Sequence, residues 1–360
     1  MSGPQLLILE GDGIGPEIVV ATRQVIEAAD RAFALNLSLH SAEIGFAALD
    51  ATGTTIPDAV VEAARAADGV VLGPVSHNAY PPVAEGGLNP SGVLRKKLDL
   101  YANIRPAKTP AHVQDRRAVD LVVVRENTEG FYADRSMFDG PGEFRPDPDI
   151  ALAIRKVSRK ASRRVAESAF ALADATRDAR YVTAVHKANV LRMSDGLFLE
   201  EVRKVAARYP HIHYDEVLVD AMAAHLVRDP DRYDVIVTTN MFGDILSDLA
   251  SELAGGLGLA GSLNAGEDHA MAQAQHGSAP DIAGRGIANP ASLIASVAML
   301  FDWLATRRKS AELARAARAI ETGLAQALAD PASRTPDLGG TGSTQTLAQA
   351  VVAHITDTAS

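Results

Sequence analysis

The feature that most restricts the fold of this chain is an alternation of two patterns. Short, β-rich apolar runs, LLILE (6–10), GVVLG (69–73), VDLVVVREN (119–127), YVTAVHK (181–187) and DVIVTTN (234–240), are separated by longer stretches with helical periodicity. That alternation is the signature of an α/β protein. Pro16, following Gly15, occupies a first helical position and opens a helix from Glu17 to about Asp30. At 360 residues the chain exceeds the size at which one hydrophobic core keeps growing, so two domains are expected. With 47% hydrophobic and 22% charged residues it can bury a substantial core and carries no disorder signature.

The charge balance excludes several functions. A formal net charge of -10 argues against a nucleic-acid surface, which needs clustered Lys and Arg, so any anionic ligand must be met by local basic groups. The absence of cysteine removes disulfides, thiolate catalysis and Cys-based metal sites. The start, MSGPQLLILEGDG, has no basic leader and its apolar run is too short for a signal peptide or a membrane span, so a cytoplasmic protein is expected. Three segments break the α/β rhythm. The stretch 76–90 has the Gly, Pro and Asn content of a long loop, 134–148 reads as an arm reaching a partner chain, and 255–286 is expected to be a second functional loop region.

Five constellations could carry chemistry. GDGIG (11–15) stands where a dinucleotide fingerprint would, between strand and helix, but its GxGxG spacing and Pro16 favour a tight active-site turn over a phosphate loop. In TTNMFGDILSDLASELAGGLG, Asp244 and Asp248 project from one helix face and repel each other unless an oxygen-liking cation such as Mg2+ or Mn2+ relieves them, while Ile245, Leu246 and Leu249 are expected on the buried side. An ordinary solvated helix face is the competing reading. Arg95, Arg105 and Arg125 emerge at element edges; together they would suit a polycarboxylate, and separately each would be a surface salt bridge. Tyr132 and Lys187 could form an acid and base pair, a lysine serving as base only where burial or a cation lowers its pKa; the alternatives are a rim tyrosine and a snorkelling lysine. Finally, QHGSAPDIAGRGIANP (275–290) has the glycine turns and the acid, Asp281, suited to a nucleotide whose ribose carries no 2'-phosphate. The ten histidines show no HxxxH spacing, which disfavours a zinc site.

In this order, GDGIGPE, LRKKLDLYANIRPAK, VRENTEGFY, HKANVLRMSDGLFL, VDAMAAHLV, NMFGDILSDLASELAGGLGL and HGSAPDIAGRGIANP resemble the isocitrate and 3-isopropylmalate dehydrogenase family of β-decarboxylating dehydrogenases over essentially the whole chain. The resemblance implies an α/β, two-domain fold that is not a standard Rossmann fold. A large discontinuous domain would comprise 1–101 and 255–360, and a small central domain 102–254 would carry a dimerisation arm near 134–148. It implies a homodimer with shared active sites. Arg95, Arg105 and Arg125 would bind substrate carboxylates, and Asp244 and Asp248 would hold Mg2+ or Mn2+ with Asp220 of the other subunit. Lys187, also crossing the interface, would be the base, and Tyr132 would protonate the enolate left by decarboxylation. Asn189 would orient the nicotinamide, and His276, Gly277, Asp281, Ile282 and Asn289 would hold the adenosine of NAD, the Asp-Ile pair standing where NADP-using isocitrate enzymes carry Lys-Tyr.

For substrate choice the resemblance points to a polar 3-substituent. Isopropylmalate enzymes place a glutamate seven residues before the first arginine and leucines four and three before it; here Leu88, Ser91 and Gly92 occupy those positions. Isocitrate enzymes place serine and asparagine six and four residues before it, and here the slots hold Asn89 and Ser91, with Pro90 between. An isocitrate-like substrate is therefore expected, ahead of isopropylmalate, homoisocitrate, tartrate or malate. A non-catalytic regulatory subunit would be expected to lack a tyrosine, lysine or metal aspartate, and none is missing. Replacing Asp281→Lys together with Ile282→Tyr should move the ratio of kcat/KM for NAD over NADP towards NADP; an unchanged ratio would remove the adenosine assignment.

Overall fold

The computed structural model describes residues 3–111, 113, 117–132, 137, 140–175 and 181–359. In chain order the strands are β1 (Gln5–Leu9), β2 (Ser38–Ala42), β3 (Gly69–Leu72), β4 (Ala102–Lys108), β5 (Asp120–Glu126), β6 (Glu143–Asp147), β7 (Ile150–Ala153), β8 (Tyr181–His186), β9 (His213–Leu218), β10 (Val235–Thr238), β11 (Leu263–Ala265) and β12 (Ala270–Gln273). The helices are α1 (Gly15–Phe33), α2 (Gly45–Thr52), α3 (Asp58–Ala66), α4 (Pro90–Lys97), α5 (Arg159–Ala175), α6 (Ser194–Ala206), α7 (Val219–Arg228), α8 (Asn240–Ala254), α9 (Ala291–Arg308), α10 (Ala311–Ala329) and α11 (Thr344–Ala359).

Ten strands form one sheet in the order β2-β1-β3-β12-β11-β4-β5-β10-β8-β9. The outer pairs are parallel, and β12-β11-β4-β5 pair antiparallel to make a seam between two parallel wings. Each wing is buried on both faces, which is why β3 (GVVL) and β10 (VIVT) are buried at every position instead of alternating. On the first wing, α1, α9, α10 and α11 enclose one apolar cluster and α3 and α4 another. On the second, α5 and α6 cover one face and α7 and α8 the other. Among the described residues, no helix is long and apolar enough to cross a membrane.

Two expectations need correction. The segment 255–286 is not all loop, because β11 and β12 are inner strands of the sheet. Their residues, Leu-Asn-Ala and Ala-Met-Ala-Gln, are small and almost wholly buried, so they show neither the alternation nor the β-branched richness that marks a strand. Likewise 76–90 is not a free loop: two short 3-10 turns shape it, and Ser91 beyond it is buried in α4. Of the expected arm, 134–136, 138 and 139 lie outside the described residues. From Glu143, β6 and β7 form a separate antiparallel hairpin carrying exposed Phe144, Ile150 and Leu152.

A buried amide cluster pins the seam. Asn103 Nδ2 donates to Ser262 Oγ (2.9 Å) and Asn264 Oδ1 (3.1 Å), and Asn127 Nδ2 donates to Leu100 O (2.9 Å) and Asn264 Oδ1 (3.0 Å). All three asparagines are almost inaccessible to water, so each lost partner exposes a polar group to an apolar interior. Asn264→Leu should therefore lower stability by about 2–4 kcal/mol. The change should appear as a lower urea midpoint with an unchanged slope.

Candidate active site

The GDGIG turn is a poor phosphate cradle, because the amides of Asp12, Ile14 and Gly15 are already used, the last on Asp12 O (2.8 Å). Asp12 N donates to Pro74 O (2.8 Å) and Ile14 N to Ser278 O (2.9 Å). Gly13 has φ +58°, and a Cβ there would stand 2.0 Å from Ser278 O, so the glycine is required by close packing of two backbones. The Asp12 carboxylate accepts from Phe46 N and Ser76 N, each at 2.9 Å, and from the Tyr80 hydroxyl. Glu17, in the first turn of α1, accepts from Gly286 N and Ala288 N at 3.2 Å, and so fills the helix N-terminus with the protein's own carboxylate. The turn ties the 74–80 and 276–288 segments together beside the cavity.

The carboxyl ends of β3, β5, β10 and β12 open on that cavity, of 240 Å3, as expected for a sheet of this type. Arg95, Arg105 and Arg125 all line it, together with Asn89, Ser91, Tyr132 and Asp244. The convergence that spacing alone left open is thus a fact of the fold. Arg125 ends β5; its Nε and Nη2 donate to Asn240 Oδ1 (2.9 and 2.7 Å) and its Nη1 to Asp244 Oδ1. Arg105 lies on β4, which pairs with β5. Its Nε donates to Asn103 Oδ1 (2.5 Å) and its Nη1 to Ser247 Oγ (2.8 Å), Asp244 Oδ1 (3.2 Å) and Asp248 Oδ1 (3.2 Å). Arg95 Nη2 and Ser91 Oγ both donate to Gln273 Oε1, at 3.2 and 2.9 Å. Asn89 is the N-cap of α4, accepting from Gly92 N at 3.2 Å.

Like charge at this density has visible electrostatic effects. Burial, and then the Arg125 guanidinium beside it, pull Arg105 down to about 10 against the opposing pull of Asp244 and Asp248. For Asp244, burial would raise the carboxyl, but Arg125, Arg105 and Arg95 outweigh it and hold it below the usual carboxylate range. The Asp244 carboxylate therefore stays ionised near neutrality, with Tyr132 Oη donating to its Oδ2 at 3.3 Å, while Gln275 Nε2 donates to Asp248 Oδ1 at 2.8 Å.

On α8 the expected buried side is corrected. Leu246 is fully buried and Leu249 half-buried, but Ile245 is 58% exposed, on the same flank as Asp244 and Asp248. Lys187, Asn189 and Asp220 do not line the cavity. Lys187 follows β8 and donates through Nζ to Asp220 Oδ1 at 2.5 Å, which holds the largely exposed Asp220 carboxyl below its usual range. Asn189 is exposed in the next turn. Among the described residues, no three His, Asp or Glu side chains of one chain are grouped to hold a metal. Asp244 and Asp248, one turn apart on α8, present carboxylate oxygens of the hard kind that Mg2+ and Mn2+ prefer, and so have the chemistry to hold such an ion.

His276 and Gly277 line the cavity's edge, which makes the 276–289 segment continuous with it. His276 Nε2 is buried without a hydrogen-bond partner, burial pushes the imidazole below its usual value, and Gly277, Gly284 and Gly286 face open space. An orphaned ring nitrogen beside open glycines fits a nucleotide. Asp281 is exposed and Ile282 packs on the large core. The Asn289 side chain is committed, donating to Asp337 Oδ2 (3.0 Å) and accepting from Ala291 N (2.9 Å), so only its backbone is available. Sequence reasoning missed Asn103, Asn240, Gln273 and Gln275. One signal was there: Asn103 is two residues before Arg105 and so shares its face of β4.

The sequence model described as isocitrate/isopropylmalate dehydrogenase matches residues 5–351. The isocitrate/homoisocitrate dehydrogenase of Thermus thermophilus is 42% identical over 349 residues, covering 97% of this chain and 97% of the relative. The 3-isopropylmalate dehydrogenase of Methanothermobacter thermautotrophicus is 38% identical over 361 residues, covering 99% and 100%. Among solved structures, isocitrate dehydrogenase from Methylococcus capsulatus matches with a TM-score of 0.87 at 41% identity, covering 99% of this chain and 100% of that one.

Gly243 lets α8 approach β5 so closely that a Cβ there would stand 2.6 Å from Arg125 Cβ. Gly243→Ala should displace Arg125 and weaken binding of a malate-type polycarboxylate about tenfold or more, with the loss of one charge-assisted bidentate contact as the scale. Calorimetric titration reads this directly, and unchanged affinity would show that Arg125 does not contact the ligand.

Proposed function

Because the chain belongs to the isocitrate/isopropylmalate dehydrogenase family of decarboxylating oxidoreductases, we propose that it oxidises and decarboxylates a 3-substituted (2R)-malate with NAD, and that the 3-substituent is polar, as in isocitrate. The observation that carries this reading is the cavity wall. Three guanidiniums meet Asn89, Ser91 and Gln273 there, and its apolar lining is limited to small side chains such as Pro74, Val75 and Ala274. Asn89 Oδ1 and Ser91 Oγ already bond Gly92 N and Gln273 Oε1, so an isopropyl group would bury the Asn89 amide NH2 against carbon, whereas a third carboxylate would accept from it.

On this reading Arg95, Arg105 and Arg125 orient the substrate through its carboxylates, and Lys187 removes the proton of the 2-hydroxyl as hydride leaves carbon 2. The product of that step is a β-keto acid, which loses the carboxylate on carbon 3 as carbon dioxide, and Tyr132 returns a proton to that carbon. When bound by Asp244, Asp248 and the Asp220 of a second copy, Mg2+ or Mn2+ supplies an electrophile that acidifies the hydroxyl and draws electrons during carboxylate loss. NAD supplies the hydride acceptor, with its adenosine against His276, Gly277, Asp281, Ile282 and the backbone at Asn289 and its nicotinamide near Asn189. Asp281 favours a free ribose 2'-hydroxyl by accepting from it and repelling a 2'-phosphate.

The reading is dimeric. One chain holds Lys187 and Asp220 away from its own cavity, and α7 and α8 leave Val227 and Ile245 63% and 58% exposed beside the aspartates, a pattern that suits burial against a second copy. It also divides the chain into lobes 1–101 with 255–360 and 102–254, a division supported by the buried clusters, which sort into residues 6–100 with 263–355 and residues 102–254.

With Mg2+ present, kcat/KM for isocitrate and NAD should exceed that for 3-isopropylmalate by about tenfold or more. A preference for isopropylmalate would overturn the polar pocket, and full turnover after exhaustive chelation would overturn the metal role. Lys187→Met and Tyr132→Phe homodimers should each be nearly inactive. Mixing them after dissociation should recover about a quarter of wild-type activity, because one site in each mixed dimer receives both intact groups. No recovery would show that Lys187 serves its own chain.

A further inference from the structure

One guanidinium joins three parts of the second wing. Arg155 lies two residues beyond β7, at the base of the hairpin, with its side chain 8% exposed. Its Nη1 donates to Ser194 Oγ (2.8 Å) and Asp195 Oδ1 (2.5 Å), and its Nη2 to Thr239 Oγ1 (2.9 Å), the N-cap residue of α8. The rings of Phe131 and Phe242 flank it, with centroids 5.9 and 5.3 Å from its guanidinium carbon. Asp195 is fully buried in the first turn of α6, and its second oxygen accepts from Lys187 N at 2.6 Å. The turn that follows closes on the same residue, with Val190 N and Leu191 N donating to Lys187 O at 3.0 and 2.8 Å.

A buried ion pair is weak evidence for stability, since well-packed apolar side chains of similar volume often do as well or better. What this pair contributes that an apolar pair could not is direction. It gives the Lys187 amide one fixed acceptor, and it refers that acceptor to both the hairpin base and the start of the helix bearing Asp244 and Asp248. We propose that Arg155, acting through Asp195, is a positioning residue for Lys187, locking the lysine turn to the hairpin base and to the start of α8 as one piece. The proposal rests on the reading of Lys187 as the base. If the hairpin is an arm held by the partner, docking it and delivering Lys187 to the partner's site become a single placement. None of Arg95, Arg105 and Arg125 bonds Arg155 or Asp195, and Arg125 meets the network only through Asn240, the residue after Thr239, so its loss should slow turnover much more than it loosens substrate.

Misplacing a reacting group by about 1 Å can cost on the order of 10²-fold in rate. In steady-state turnover of isocitrate with NAD and Mg2+, Arg155→Ala and Asp195→Ala should each lower kcat by roughly that factor while KM for isocitrate stays within about threefold. The pair acts as a unit, so the double variant Arg155→Met with Asp195→Asn, which leaves no unpaired buried charge, should be no slower than the worse single variant. Added guanidinium ion should restore part of kcat in Arg155→Ala and none in Asp195→Ala. A neutral double variant with wild-type kcat, or a rise in KM with kcat preserved, would overturn the proposal. A second readout is independent of turnover: the rate at which an amine reagent labels Lys187, followed by mass spectrometry, should change in both single variants and be partly restored by guanidinium in Arg155→Ala. Unchanged labelling would also overturn the positioning role. Wild-type protein inactive on every (2R)-malate would instead remove the function proposed above and leave the labelling comparison to judge Arg155.

Discussion

Two arginines, Arg105 in the middle of β4 rather than at an element's edge as expected, and Arg125 near the end of β5, are buried on neighbouring strands, and the rest of the site is arranged around that constraint. Neither charge could stay there alone. At an effective dielectric of about 20, a guanidinium and a carboxylate 3.2 Å apart attract by roughly 5 kcal/mol before desolvation is counted, and that attraction opposes the repulsion between the two arginines. Asp244 answers both, Asp248 answers Arg105, and neutral oxygens of Asn103, Asn240 and Ser247 accept from further donors of the pair. The Asp244 carboxylate is thereby kept ionised, and both carboxylates are held in place. On the function proposed above, a cation arriving between Asp244 and Asp248 would compete with Arg105 for them, and a carboxylate substrate would relieve that competition by pairing with the arginines. Metal and substrate binding should therefore favour each other through shared electrostatics, without any movement of the backbone.

The parts of this arrangement that were legible in the sequence are those that leave a one-dimensional trace. Arg125 could be placed at a strand end because the run before it is apolar, and the Asp244 and Asp248 pair could be placed on one face by its spacing. Their meeting could not be read, because it depends on β10, which leads into α8, pairing parallel with β5. Ile245 was assigned to the core on hydrophobicity alone; its exposure reflects a helix whose outward flank is apolar as well as acidic. For β11 and β12 the failure has a different cause. A three- or four-residue strand of Ala, Asn, Leu and Met buried on both faces has no period to detect, and glycines around it imitate a loop.

GDGIG shows how a short motif misleads. Its position between strand and helix is that of a phosphate loop, yet the donors that would hold a phosphate bind Pro74 O and Ser278 O, and Glu17 occupies the start of the helix. The same glycine that in another context would admit a pyrophosphate here admits a carbonyl of its own chain. The spacing and Pro16 gave the correct warning, since they depart from the dinucleotide pattern in the residues that would have touched the ligand.

The antiparallel seam also bears on how such a molecule can be taken apart. Because β11 and β4 are neighbours in one ladder, the sheet has no seam of water or slack chain between its wings. Separating the central segment from the two chain ends would strip both strands of their partners and leave two raw edges, each with a row of unpaired amides and carbonyls. Buried asparagines placed to meet across the cut would be opened to solvent at the same time. The halves are therefore poor candidates for exchange as modules between proteins, and a recombinant fragment of either is more apt to join edges with its own copies than to stay in solution. In its hydrogen bonding, the run from β2 to β9 is one indivisible sheet.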